Sequence, residues 1–142
     1  MTYTTLADLT DRFGENLLVQ LTDRGDVATD TIDTGVIDRA LADTDALIDG
    51  YVAKRYALPM AATPALIRTL AIDITIYKLH TYEPDPKIEA DYKAAMKSLE
   101  AISSGSVTLP IDGVEAPGSG SSGARLTDRE RPLTEQTLKG FI

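Results

Sequence analysis

The chain has 142 residues, with 22 acidic side chains against 14 Lys and Arg, a net charge of −8 and 43% hydrophobic content. That is enough for one domain with a small core and an arm. With no cysteine, disulfides, thiolate metal sites and thiol catalysis are excluded, and no basic, apolar signal peptide opens the sequence.

The acidity is uneven. Residues 1–49 hold eleven Asp and Glu and only three Arg, whereas residues 50–142 are close to balance. A chain of this kind lacks the cationic face that grips nucleic acid phosphates. Solubility explains the bias, and so does a surface that must face DNA without adhering to it.

Thr4 or Thr5 caps a short helix with Leu6, Leu9 and Phe13 as its stripe, and Gly14 closes it as a left-handed residue. A second short helical segment over 15–21 is anchored by Leu17, Leu18 and Leu21. Residues 22–34 form a polar loop rich in Asp, Thr and Gly. Asp33 then caps a long amphipathic helix that carries Ile37, Ala40, Leu41, Leu47, Ile48, Tyr51, Val52 and Arg55 on or near one face. Pro59 disfavours the helical region for Leu58, so this helix should end near Tyr56. The apolar Tyr-Ala-Leu-Pro-Met that leaves it should fold back over the core.

Thr63-Pro64 reads as a cap and first helical position. The helix that follows, over 65–79, is apolar on nearly every side and belongs at the centre, with another subunit as an alternative cover for one face. It contains Arg68, Asp73 and Lys78, which argues against a membrane span. Asp85-Pro86 repeats the cap-and-proline signal for a helix to Ser103, with Ile88, Tyr92, Ala95, Met96, Leu99 and Ile102 inside and the Glu89–Lys93 pair outside. Residues 106–111 could form a short strand.

The expected fold is therefore mainly α: a small bundle of four to five helices over residues 1–103. An extended C-terminal arm follows over 104–142, with room for one short strand pair. Residues 117–123 are a Gly/Ser linker by composition. Beyond it Leu133, Leu138, Phe141 and Ile142 are spaced as apolar anchors. The arm should dock on a neighbouring copy or partner, the alternative being that it folds back on its own domain.

Little in the sequence suggests catalysis. His80 is the sole histidine, and Tyr82, Glu83 and Asp85 are its nearest polar company. A His at a helix end commonly serves the dipole. Asp23, Asp26, Asp30 and Asp33 crowd one loop but lack the order and terminal Glu of a calcium loop. Gly118, Gly120 and Gly123 spell GxGxxG without a strand–turn–helix unit around them. No catalytic residue, metal ligand or cofactor is expected. Tyr51, Arg55 and Tyr56 form the most site-like cluster: Tyr51 and Arg55 can stack, Asp45 or Asp49 can neutralise the guanidinium, and the role is structural or interfacial.

The run Asp49-Gly50-Tyr51…Arg55-Tyr56-x-Leu58-Pro59, preceded by Tyr3…Leu9…Phe13-Gly14-Glu15 and followed by Tyr92…Leu99…Ile102-x-x-Gly105, resembles a family of Mu-like phage proteins over residues 3–109. The ending Thr137…Phe141 is similar as well. That family is grouped with the head–tail connector, or head-completion, proteins of tailed phages and gene transfer agents. The resemblance implies a non-enzymatic virion protein made in the bacterial host cytoplasm, with no membrane association. It implies a ring of copies, usually twelve, under the portal protein, with a stopper or tail terminator on the tail side. DNA would pass through without specific binding. On that reading Tyr51, Arg55, Tyr56, Leu133, Leu138, Phe141 and Ile142 are interface candidates, and Asp23, Asp26, Asp30 and Asp38 are candidates to face the channel. The rival readings are a phage assembly chaperone or regulatory binding module, and a small hydrolase or nuclease working through the Asp-rich loop.

Overall fold

In the computed structural model, residues 1–111 are described. Five helices follow in order: α1 (Leu6–Phe13), α2 (Glu15–Thr22), α3 (Thr34–Val52), α4 (Ala65–Leu79) and α5 (Pro86–Ser104). The mainly α expectation holds. The arm anchors Leu133, Leu138, Phe141 and Ile142, and the linker at 117–123, lie outside the described residues.

The helix ends follow from local chemistry. Thr5 and Asp8 close a reciprocal capping box on α1. The Thr5 hydroxyl and the Thr5 amide both donate to the Asp8 carboxylate, at 2.8 and 2.9 Å, and hold it below its usual range. Gly14 terminates α1 with φ +83° and ψ 154°, so it is not left-handed helical; it occupies the extended positive-φ region that is essentially reserved for glycine, and it also caps α2. The Asp33 carboxylate accepts from the amides of Gly35 and Val36 at 2.8 and 3.2 Å. Asp85 accepts from the Lys87 amide at 2.8 Å, with Pro86 in the first turn.

Three boundaries differ from expectation. The long helix ends at Val52, about a turn early, because the amides of Arg55 and Tyr56 both return to the Val52 carbonyl at 3.0 Å and turn the chain inward. Pro64 rather than Thr63 is the cap of α4, with no side-chain bond. Residues 106–111 form no strand: they run as an irregular strap in which only Leu109 is buried.

Helices α3, α4 and α5 pack as an antiparallel bundle, with α1 and α2 laid across one end. One half of the core joins Ile48 and Val52 of α3, Ile67, Leu70 and Ile74 of α4, and Leu99 and Ile102 of α5. Tyr3, Tyr56, Met60 and Leu109 close that end. The other half joins Leu9, Leu18 and Leu21 to Ile37, Leu41, Ile72, Ile76 and Leu79. Helix α4 is buried continuously from Leu70 to Ile76, Asp73 and Thr75 included. From Ile67 onward its apolar side chains are covered by α1, α3 and α5 of the same chain, while Leu66 in its first turn stays 39% exposed.

Buried polar groups on α4 are satisfied across helices. The Thr75 hydroxyl lies 3.1 Å from that of Thr44 and 2.7 Å from the Ala71 carbonyl. Asp73 pairs with Arg12 of α1 at 2.9 Å. Burial pushes the Asp73 carboxyl up, and the Arg12 charge opposes that rise. Tyr77 and Tyr92 stack between α4 and α5 with centroids 3.9 Å apart.

Candidate assembly surface

The site-like cluster of the sequence becomes a hinge between α3 and the chain that leaves α5. Tyr56 is only 6% exposed, and its hydroxyl accepts the Leu109 amide at 2.8 Å. Arg55 lays its guanidinium over Gly105, the left-handed cap of α5 at φ +84° and ψ 9°. A Cβ there would sit 2.2 Å from Arg55 Nη1, so two reasons require glycine: backbone conformation and room for the guanidinium. The Leu58–Pro59 peptide is cis and leads directly to the buried Met60. Tyr56 thus works inside the domain, and it bears on any surface through the strap it holds.

Two expected contacts are replaced. The cation over the Tyr51 ring is Lys54 at 5.5 Å, not Arg55. Asp45 and Asp49 are engaged by the N-terminus. Asp45 accepts the Tyr3 amide at 3.0 Å, Asp49 accepts the Tyr3 hydroxyl, and the terminal amine lies 3.8 Å from Asp49. Burial, then the Asp49 hydrogen bond and the neighbouring carboxylates, push the Tyr3 hydroxyl upward; burial also raises Asp45. Sequence reasoning missed this clamp because its partners are 42 and 46 residues apart. The only signal for it was an aromatic so close to the start of the chain.

The acidic candidates are divided. Asp23 organises its loop, accepting from the amides of Thr29 and Asp30 at 2.8 and 3.1 Å. Asp26, Asp30 and Asp38 are exposed, and Asp30 has φ +52°. Arg24 ties this loop to the bundle through the carbonyls of Leu21 and Leu79 at 2.9 and 2.6 Å. The acidic loop therefore sits at the C-terminal end of α4, opposite the Tyr56 hinge.

The same end carries a groove of about 660 Å³ between the α1–α2 corner and the start of α5. Phe13, Leu17, Tyr82 and Ile88 supply its apolar lining. Its rim holds Arg12, whose guanidinium reaches inward to the buried Asp73, together with Asp85 and the Lys87–Asp91 ion pair at 2.5 Å. His80 lies in the wall, its Nδ1 2.8 Å from the Ile76 carbonyl, with Tyr82 edge-on. No group of His, Asp and Glu among the described residues could hold a metal ion. No helix among the described residues is long and apolar enough to cross a membrane.

Residues 3–127 match the model of the family described as Bacteriophage Mu, Gp36. The chain belongs to this family. It is 30% identical to gene product J of Escherichia phage Mu over 142 residues, the whole of both chains. It is 27% identical to the Mu-like prophage FluMu protein gp36 of Haemophilus influenzae over 112 residues, 79% of each. This member of the Mu family places Arg55, Tyr56, Pro59 and Gly105, drawn from two separate stretches of sequence, in one hinge.

Proposed function

We propose that the chain is a structural, non-enzymatic subunit of a Mu-like phage particle: a head–tail connector that assembles as a twelve-fold ring beneath the portal and joins head to tail around the DNA channel. The observation that carries this reading is membership of the Mu family along nearly the whole chain, with gene product J matched end to end. The hinge supports it, because Tyr56 and Gly105 fix the direction in which the chain leaves the bundle toward its C-terminal arm. The charge supports it too. Exposed Asp26, Asp30 and Asp38 gather near one end, suited to a channel that DNA crosses without being held. Asp23 and Asp33 of the Asp-rich loop are both occupied by backbone amides, which favours a structural loop over a hydrolytic one.

In this reading the arm anchors Leu133, Leu138, Phe141 and Ile142 and the Tyr51 face of α3 make the contacts to neighbouring copies and to the portal. Size-exclusion chromatography with light scattering, on the chain alone and with portal particles, tests it. A connector joins the portal and stays in the finished particle. A chain that binds and then leaves is an assembly chaperone, and one that never binds contradicts the proposal.

A further inference from the structure

The structure separates two features that a ring subunit must present to different neighbours. The strap carrying Pro110 and Ile111 leaves the domain beside residues 61–65, at the N-terminal end of α4. The apolar groove floored by Phe13, Leu17 and Ile88 lies at the C-terminal end of α4, with Tyr82 57% exposed at its edge. Fifteen residues of helix separate the two ends, about 22 Å. The sequence continues for 31 residues beyond Ile111. The first 21 of these can reach at most about 70 Å before Leu133.

We infer that the groove is the receptor for residues 133–142 of a second copy. This rests on the ring reading above and names the contact that closes the ring. The segment LTEQTLKGFI brings four apolar side chains and one charge of each sign, Glu135 and Lys139. The groove offers an apolar floor of four side chains and a rim that also carries both signs, Arg12 and Lys87 with Asp85 and Asp91. The place of exit favours a second copy as the source. Pro110 and Ile111 lie beside residues 61–65, at the opposite end of α4 from the groove, so self-docking requires a return along the full length of α4. Donor and receptor at opposite ends of one body form a head-to-tail, heterologous contact: every copy gives once and receives once, and a suitable rotation closes the ring.

The absence of cysteine makes the test clean. Full-length chains carrying Tyr82→Cys and Leu138→Cys are purified separately, mixed at high concentration and oxidised. A second mixture pairs Leu138→Cys with Asp38→Cys, an exposed position on α3 outside the groove. The expected result is a mixed disulfide dimer from the Tyr82 pair at least tenfold more abundant than from the Asp38 pair. Equal yields overturn the inference. So does a cross-link that forms only when both cysteines are in one chain, which places the segment in its own groove. The purified chain is the material here, whereas the connector reading is judged by portal binding and presence in particles, so the two fail independently.

Discussion

The Tyr56 hydroxyl accepts the Leu109 amide hydrogen at 2.8 Å across 53 residues of sequence. Both residues are buried, and this bond fastens the strap to the corner where α3 ends. An amide deprived of its acceptor in such a place costs about 1–3 kcal/mol. Tyr56→Phe keeps the ring and removes the oxygen. It should lower the free energy of unfolding by about 1–2 kcal/mol. Hydrogen exchange at the Leu109 amide should accelerate by more than the change in global stability. Unchanged exchange there would show that the strap is held by apolar packing alone.

Gly105 answers to Arg55 as well as to its own backbone. Gly105→Ala should cost about 1–2 kcal/mol from the left-handed conformation alone. Displacing the guanidinium, which the new Cβ would meet at 2.2 Å, should add about 0.5–1 kcal/mol. A double-mutant cycle with Arg55→Ala isolates the second part. Placed in the Arg55→Ala background, Gly105→Ala should be measurably milder, and strict additivity would contradict the contact.

The Arg12–Asp73 pair predicts a pH effect of definite sign. Asp73 is 8% exposed, and its carboxyl lies above the usual range in the folded chain because of burial, with Arg12 in opposition. A raised carboxyl contributes stability that is full below the unfolded value of about 3.9 and is lost as pH rises through the folded value. Arg12→Met removes the opposing cation, so the folded value climbs and the loss grows. Urea midpoints between pH 4 and 7 should fall more steeply with pH in Arg12→Met than in the parent. The Arg12→Met, Asp73→Asn double variant should lose the extra slope. Arg12 is over a third exposed, which limits the cost at pH 7 to about 1–2 kcal/mol.

The exposed acids should be dispensable to folding and to any chemistry. Asp26→Asn, Asp30→Asn and Asp38→Asn together should change stability by about 0.5 kcal/mol or less, since none is buried and Asn tolerates the positive φ at position 30. Phage carrying the triple variant should complete particles with titres within a few-fold of the parent. A well-folded variant that blocks particle maturation would show that assembly or DNA passage depends on these charges.

The sequence made local structure legible and long-range pairing illegible, for a physical reason. Asp33, Asp85 and Gly14 announce helix ends because a cap acts within a turn of itself. The buried α4 is readable because no polar face interrupts its periodicity. Partners of Arg55, Tyr3 and Asp73 are not readable, since helical spacing compares only neighbours three or four residues apart. Asp45 and Asp49 suggest themselves for Arg55 only as acids on the same predicted helix, ten and six residues away, while the fold gives them Tyr3 instead. The groove was equally hidden: Phe13, Leu17, Tyr82 and Ile88 come from four separate elements and look like ordinary core or loop residues in each. The Tyr56–Gly105 hinge was half visible, as two stretches of family pattern with nothing in the sequence to say that they meet.

The most direct measurement is cryo-electron microscopy of purified particles, reconstructed around the portal vertex at side-chain resolution. The account predicts a ring of this chain between portal and tail, its helices side by side and residues 133–142 of each copy in contact with another subunit. Particles that mature and infect without the chain at that vertex would contradict it.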